Sequence, residues 1–200
     1  LVILISFLKS AWASPFITRD IRMGKLSSFL IKPIPYIYFQ ISNNVGEKTI
    51  KSLYLFPLVT VIAIVFKVPL PNLNFGTAII FLASLLSAIC TAFVLDLLVG
   101  IVGFWLEDTK ALDDLYGMCY ALFSGAMIPL AMLPKYFLGL ANLLPFRYLL
   151  SFPIEILQGK LSSNELITGL LLQLFWLVVM SLVYSYTWRK GLKIYSAVGA

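Results

Sequence analysis

Four long apolar runs dominate the chain, and shorter segments between them carry most of its charge. A helix needs about 20 mostly apolar residues to cross ~30 Å of hydrocarbon. On that ground the runs near 52–68, 75–105, 115–133 and 166–188 are read as membrane spans. The first has a short apolar core, Leu53–Phe66, extended back through Ser52. The second is long, the third is interrupted by Pro129, and the fourth is clean. A fifth stretch, 1–17, is apolar but short and opens with Leu, so it reads as the end of a partial helix. Its Ser10-Ala11-Trp12-Ala13-Ser14 faintly resembles the cleavage site of a secretory leader, yet no basic segment precedes it.

Two segments do not read as spans. Across 19–32, Met23, Leu26 and Leu30 recur at helical spacing with Phe29 beside them, while Arg19, Arg22, Lys25 and Lys32 take much of the remaining surface. Pro33 stops the predicted helix by removing an N–H. Such a helix either lies on anionic headgroups or docks onto a partner. Across 129–153, Pro129, Pro134, Pro145 and Pro153 interrupt an apolar sequence too often for any spanning helix. Broken backbone is costly in lipid, so this segment is either a loop packed on the bundle or a re-entrant element with a role in gating.

Composition settles the class. Of 200 residues, 60% are hydrophobic and 12% charged, where a soluble domain has about 25% charged. Mean hydropathy is +0.95. This is an all-α, polytopic membrane protein, not a disordered chain, a coiled coil or an ordinary soluble enzyme. The absence of His removes His-based triads and His-rich zinc sites. Cys90 and Cys119 lie in apolar runs and read as small buried hydrophobes rather than a disulfide.

A net charge of +6 points to topology rather than nucleic acid, because no aromatic-basic recognition motif accompanies it. If 19–51, 106–114 and 189–200 share one side, that side holds ten Lys and Arg residues against four on the other (Lys67, Lys135, Arg147 and Lys160). Basic residues stay inside, so the first side is predicted to be cytoplasmic, with the C-terminus on it. Trp105 and Trp188 then fall at cytoplasmic helix ends, where indoles favour the interface.

Asp96 is the one acid within the apolar runs, and its depth depends on which part of 75–105 crosses. Near the headgroups it needs no special role; at mid-membrane it would be a functional candidate, and an ion- or proton-coupled secondary carrier using Asp96 is the alternative reading. Gly100, Gly103 and Ser124-Gly125-Ala126 are small residues that let helices approach closely. Glu107, Asp108, Asp113 and Asp114 lack the spacing of a calcium loop and read as a solvated turn. A lipid-modifying enzyme is disfavoured by the lack of His and of clustered polar residues in the spans.

No phosphate-binding loop is present: Gly24-Lys25 and Gly159-Lys160 are each followed by Leu and lack the upstream glycine, and Gly46-Glu47-Lys48-Thr49 has the wrong spacing. The stretch Asp20-Ile21-Arg22-Met23-Gly24-Lys25-Leu26 through Lys32-Pro33 resembles a signature of type-2 ATP-binding-cassette (ABC) exporter permeases, in their small single-subunit bacterial branch. Further stretches match in order: Gly103-Phe104-Trp105; Phe123-Ser124-Gly125 with Ile128-Pro129-Leu130 and Pro134; Leu144-Pro145-Phe146-Arg147-Tyr148 with Ser151-Phe152-Pro153 and Gly159; and the ending Trp188 to Gly199.

The resemblance implies a six-helix permease of the bacterial inner membrane that exports its cargo. It works with a separate ATPase subunit that binds the ATP, and with a second permease chain in a homo- or heterodimer. It implies no cofactor of the chain's own and no nucleic acid. Against that pattern the chain lacks the first helix and much of the second, which reads as a fragment or an incomplete gene product. The segment 19–32 is then the coupling helix, with Arg22, Gly24, Lys25, Leu26, Leu30 and Pro33 as ATPase-coupling residues. The Pro-broken segment is then an extracellular re-entrant hairpin. Asp96, Pro129, Pro134, Pro145 and Arg147 are the pathway or gating candidates. The uniformly apolar spans favour a hydrophobic or lipid-like cargo.

Overall fold

The computed structural model describes residues 5–6, 13–67 and 74–195, and among them every regular element is helical. The chain forms α1 (Ala13–Arg22), α2 (Leu26–Leu30), α3 (Tyr36–Val65) and α4 (Phe75–Ile101), which continues into a 3-10 turn at Val102–Phe104. There follow α5 (Lys110–Phe123), a 3-10 turn at Leu130–Met132, α6 (Lys135–Leu143), α7 (Pro145–Leu149), α8 (Ser151–Leu157) and α9 (Ser163–Ile194). Three stretches are long and apolar enough to cross a bilayer: Tyr36–Val65, Phe75–Phe104 and Ser163–Ile194. At 1.5 Å per residue each is about 45–48 Å long. All three exceed the ~30 Å hydrocarbon layer and project beyond it.

These bounds differ from the hydropathy reading in instructive ways. The first long helix starts at Tyr36 rather than near 52, behind Pro33 and Pro35, and its first half mixes apolar residues with polar ones such as Gln40, Asn43, Asn44, Glu47 and Lys48. Hydropathy detects only its apolar half. The third run is not one continuous helix: α5 ends at Phe123 after 14 residues, about 21 Å, and the chain turns at Ser124. The last helix begins at Ser163 because Ser162 and Glu165 form a reciprocal capping box. Of the stretch 1–17, residues 13–17 belong to α1, which runs on to Arg22; 1–4 and 7–12 lie outside the described residues. Cys90 and Cys119 are unpaired, and Cys90 is exposed rather than buried. In a membrane helix an apolar neighbourhood does not distinguish the packed face from the open one.

The central helix is α4, with α9, α1 and α8 packed around it. Gly100 is the point of closest approach to α1: a Cβ there would lie 2.9 Å from Ser14 Cα and 3.0 Å from Ile17 Cβ. Beside this seam, Asp96 is buried and its Oδ2 accepts from the backbone N–H of Ala13 at 2.5 Å and of Ser14 at 3.0 Å. A carboxylate is well placed there, because hydrogen bonds to an ionised acceptor are stronger than neutral ones. Thr18 Oγ1 adds a bond to Gly100 O at 3.1 Å. On the other side of α4, Gln173 of α9 donates to Ser84 O at 2.9 Å and Tyr148 O at 3.0 Å, tying α4, α7 and α9 together.

Asp96 therefore holds the bundle. Asp96→Ala strands two buried N–H groups and is expected to cost roughly 2–4 kcal/mol, whereas Asp96→Asn keeps an acceptor and loses about half of that. Thermal or SDS unfolding of the solubilised protein measures this; an unchanged midpoint for Asp96→Ala would refute it.

Candidate functional site

One end of the bundle gathers the basic segments. Arg22 approaches Glu107 to 4.0 Å, Thr18 shares a 3.1 Å hydrogen bond with Thr109, and Ser27 shares one of 3.1 Å with Tyr195. Thus residues 18–27, the 106–114 turn and the end of α9 meet at one end, part of the grouping on which the charge asymmetry rests. The exposed Arg22–Glu107 pair itself adds little stability.

The segment 19–32 is not one helix here. It is split at Met23-Gly24-Lys25, where Gly24 takes φ +71°. Only glycine adopts that conformation without steric cost, and the turn lets α2 fold back against α4 and α9. Leu26 is wholly buried among Ile17, Ile21, Leu97, Tyr36 and Tyr184. It faces inward, so it anchors the segment rather than forming its outer surface. Around it, Tyr36 stacks on Trp188 at 5.7 Å with rings 3° from parallel, and Phe29 meets Tyr36 edge-on at 5.3 Å. Trp188 also packs against Phe104, 5.6 Å away. Tyr36 Oη donates to buried Asp20 at 2.8 Å and accepts from Gln40 Nε2 at 2.5 Å.

The outer side of this anchored segment is a mixed surface. Met23, Leu30, Ile31 and Ile34 are exposed, with 85% of Ile31 open to the surroundings, and Arg22, Lys25, Lys32 and Pro33 are exposed among them. Lys32 Nζ lies 4.7 Å above the Phe29 ring. Of the coupling candidates, Arg22, Lys25, Leu30 and Pro33 lie on the surface, Gly24 shapes the turn, and Leu26 fixes the base.

The far end holds the Pro-rich segment. Its prolines start helices rather than break one: Pro129 precedes the 3-10 turn, Pro134 precedes α6, and Pro145 is the first residue of α7. A fixed φ and a missing N–H suit those positions. Side chains then satisfy the irregular backbone. Ser151 Oγ donates to Ser124 O at 2.6 Å, Tyr148 Oη to Asn142 O at 2.7 Å, and Trp176 Nε1 to Leu143 O at 3.0 Å. Arg147 donates to Asn142 Oδ1 and, at 2.7 Å, to Glu155 of α8. Leu149, Leu150 and Phe152 are buried, while Tyr136, Leu143 and Met132 of the outer elements are exposed.

Pro129, Pro134, Pro145 and Arg147 thus share this end, and Asp96 lies apart in the α1–α4 seam. Sequence reasoning missed Ile31 and Ile34 as surface and Asn142 and Glu155 as partners of Arg147. It also missed the polar face of α3, whose spacing is legible once 36–51 is taken as helix.

A family model described as ABC-2 family transporter protein matches residues 1–199. No curated protein and no solved structure matches the chain. With helices fit to cross a bilayer and a model match over almost its whole length, the chain belongs to the ABC-2 transporter family and is a multi-pass membrane permease subunit of an ABC transporter.

Proposed function

We propose that this permease exports a hydrophobic or lipid-like cargo from the bacterial inner membrane, paired with a second permease chain and driven by a separate ATPase that docks on α2 and its flanking turns. The observation that carries this reading is the exposed Met23–Ile34 surface, fixed to the long helices by buried Leu26 and the Tyr36–Trp188 stack. Met23, Leu30, Ile31 and Ile34 are exposed together on one short segment beside Arg22, Lys25 and Lys32, and an apolar patch with a polar rim marks an interaction site. The positive-inside rule places this end, and with it the end of α9, in the cytoplasm.

A change in the ATPase dimer shifts the permease only if the two states contact it differently. Here the contact is a short element locked onto α4 and α9, so its displacement tilts those helices. The opposite, Pro-rich end then closes the outward mouth, held by Arg147, Ser151 and Gln173.

Two substitutions separate anchoring from docking. Leu26→Ala is expected to cost about 2–5 kcal/mol of stability through the cavity it leaves. Ile31→Glu leaves the unfolding midpoint unchanged but weakens co-purification of the ATPase by about tenfold or more. Undiminished capture by the Ile31→Glu chain would remove this surface from the docking scheme. At the other end, Arg147→Ala leaves Glu155 without its cation and frees Asn142. Amide hydrogen exchange across 145–157 is expected to accelerate about tenfold, and unaltered protection would show that the ion pair does not hold the segment shut.

A further inference from the structure

Between α2 and the first turn of α3 the surface opens into a cleft of about 360 Å³, lined by Lys32, Ile34 and Pro35 and by the rings of Phe29, Tyr36, Tyr38 and Phe39. Lys32 is the one charged residue of that lining; the others are apolar or aromatic. The inner wall is fixed before anything binds. Phe29 lies 4.6 Å from Phe39, and Tyr36 lies 6.3 Å from Phe39. Tyr36 is itself held by Asp20 and by its stack on Trp188. The rim is open: Lys32, Ile34, Tyr38 and Phe39 are exposed. A preformed cleft does not have to order its own walls on binding.

Its position selects what fills it. The apolar half of α3 begins at Leu53, 14 residues beyond Phe39, which is about 21 Å along the helix. Asn43, Asn44, Glu47, Lys48 and Lys51 lie between. The cleft therefore stands well clear of the hydrocarbon layer, and an acyl chain entering it would leave that layer altogether. A second copy is disfavoured by charge. A two-fold contact brings a patch against itself, and here that would set Lys32, Lys25 and Arg22 against the same cations. What remains is a soluble partner that brings apolar bulk and negative charge, since an exposed apolar patch with a polar rim marks a protein contact.

We propose that the ATPase subunit inserts a large apolar side chain into this cleft and sets a neighbouring carboxylate against Lys32. The inference rests on the docking of that subunit at α2 and adds a socket beside it. An apolar anchor seated in such a cleft carries much of the energy of an interface, and the charge pair at the rim adds specificity. Tyr36, the buried ring of the lining, stacks on Trp188 of α9. A push on the inserted side chain thus reaches α9 through two aromatic faces, without passing along α2.

The test uses the full chain in membranes of cells that also express its ATPase subunit. A photoreactive phenylalanine analogue is placed at position 38 in the cleft, at 31 on the docking surface outside it, or at 62 in the apolar half of α3, and adducts are identified by mass spectrometry. Positions 38 and 31 are expected to yield ATPase adducts and position 62 lipid adducts. The peptide joined to 38 is expected to carry a large apolar side chain within about one helical turn of Asp or Glu. Lys32→Glu cuts the ATPase yield at 38 by about fivefold or more, and exchanging the acid of that peptide for Lys restores it, which a misfolded permease would not allow. ATPase adducts at 31 but not at 38 would overturn the socket and leave the docking intact, whereas none at either position would overturn both. Lipid or a second permease chain joined to 38, or an unchanged yield for Lys32→Glu, would equally overturn the socket.

Discussion

Backbone N–H groups in a membrane protein have little water to fall back on, and each must find a partner within the fold. At the seam between α1 and α4 that partner is Asp96, which takes the amides of Ala13 and Ser14. The bonds are made where Gly100 allows the two helices nearest contact. Together they set the position of α1, and α1 in turn sets the turn at Gly24 and the seat of Leu26. The seat of α2 at the basic end therefore depends on the adjoining α1–α4 seam, where Leu26 packs against Ile17 and Leu97. An acid within an apolar run invites a reading as a proton or ion site; here Asp96 accepts two backbone N–H bonds from α1.

The helical membrane class, the bounds of α4 and the basic-end grouping were legible because hydropathy and charge are properties of runs. The interior of each run was not. Polar Gln40 and Asn44 hid the first half of α3, because a hydropathy window treats polar helix as loop. The stripe of Met23, Leu26 and Leu30 looked continuous because spacing alone does not reveal the left-handed turn at Gly24. Only the turn shows that Leu26 faces in while Met23 and Leu30 face out. The prolines of 129–153 were legible. A proline disfavours the middle of a helix and suits its first turn, so their spacing excluded a spanning helix and left the short helices observed, although Pro57 sits within α3.

A five-residue helix such as α2 has no stability of its own, since forming the first turn is unfavourable. What makes it rigid is Leu26 below it, the Phe29–Tyr36 contact beside it and the Ser27–Tyr195 bond to the end of α9. Any push on α2 passes through side-chain packing rather than along a continuous helix. That explains why the break at Gly24 does not uncouple it from the bundle.

Both ends of the molecule are fastened by buried apolar and aromatic packing, and opening such packing creates voids that cost several kcal/mol. At the Pro-rich end that packing is built from Tyr148, Leu149, Leu150, Phe152 and Ile156. This end adds side chains on backbone carbonyls: Ser151 on Ser124, Trp176 on Leu143, Gln173 on Ser84 and Tyr148. Each such bond is worth about 1 kcal/mol net and can be exchanged for another acceptor or for water. Packed interfaces switch as units rather than deform gradually. In the proposed scheme each packed end accordingly moves as one body, and the polar bonds at the Pro-rich end are the ones that exchange partners as a path opens.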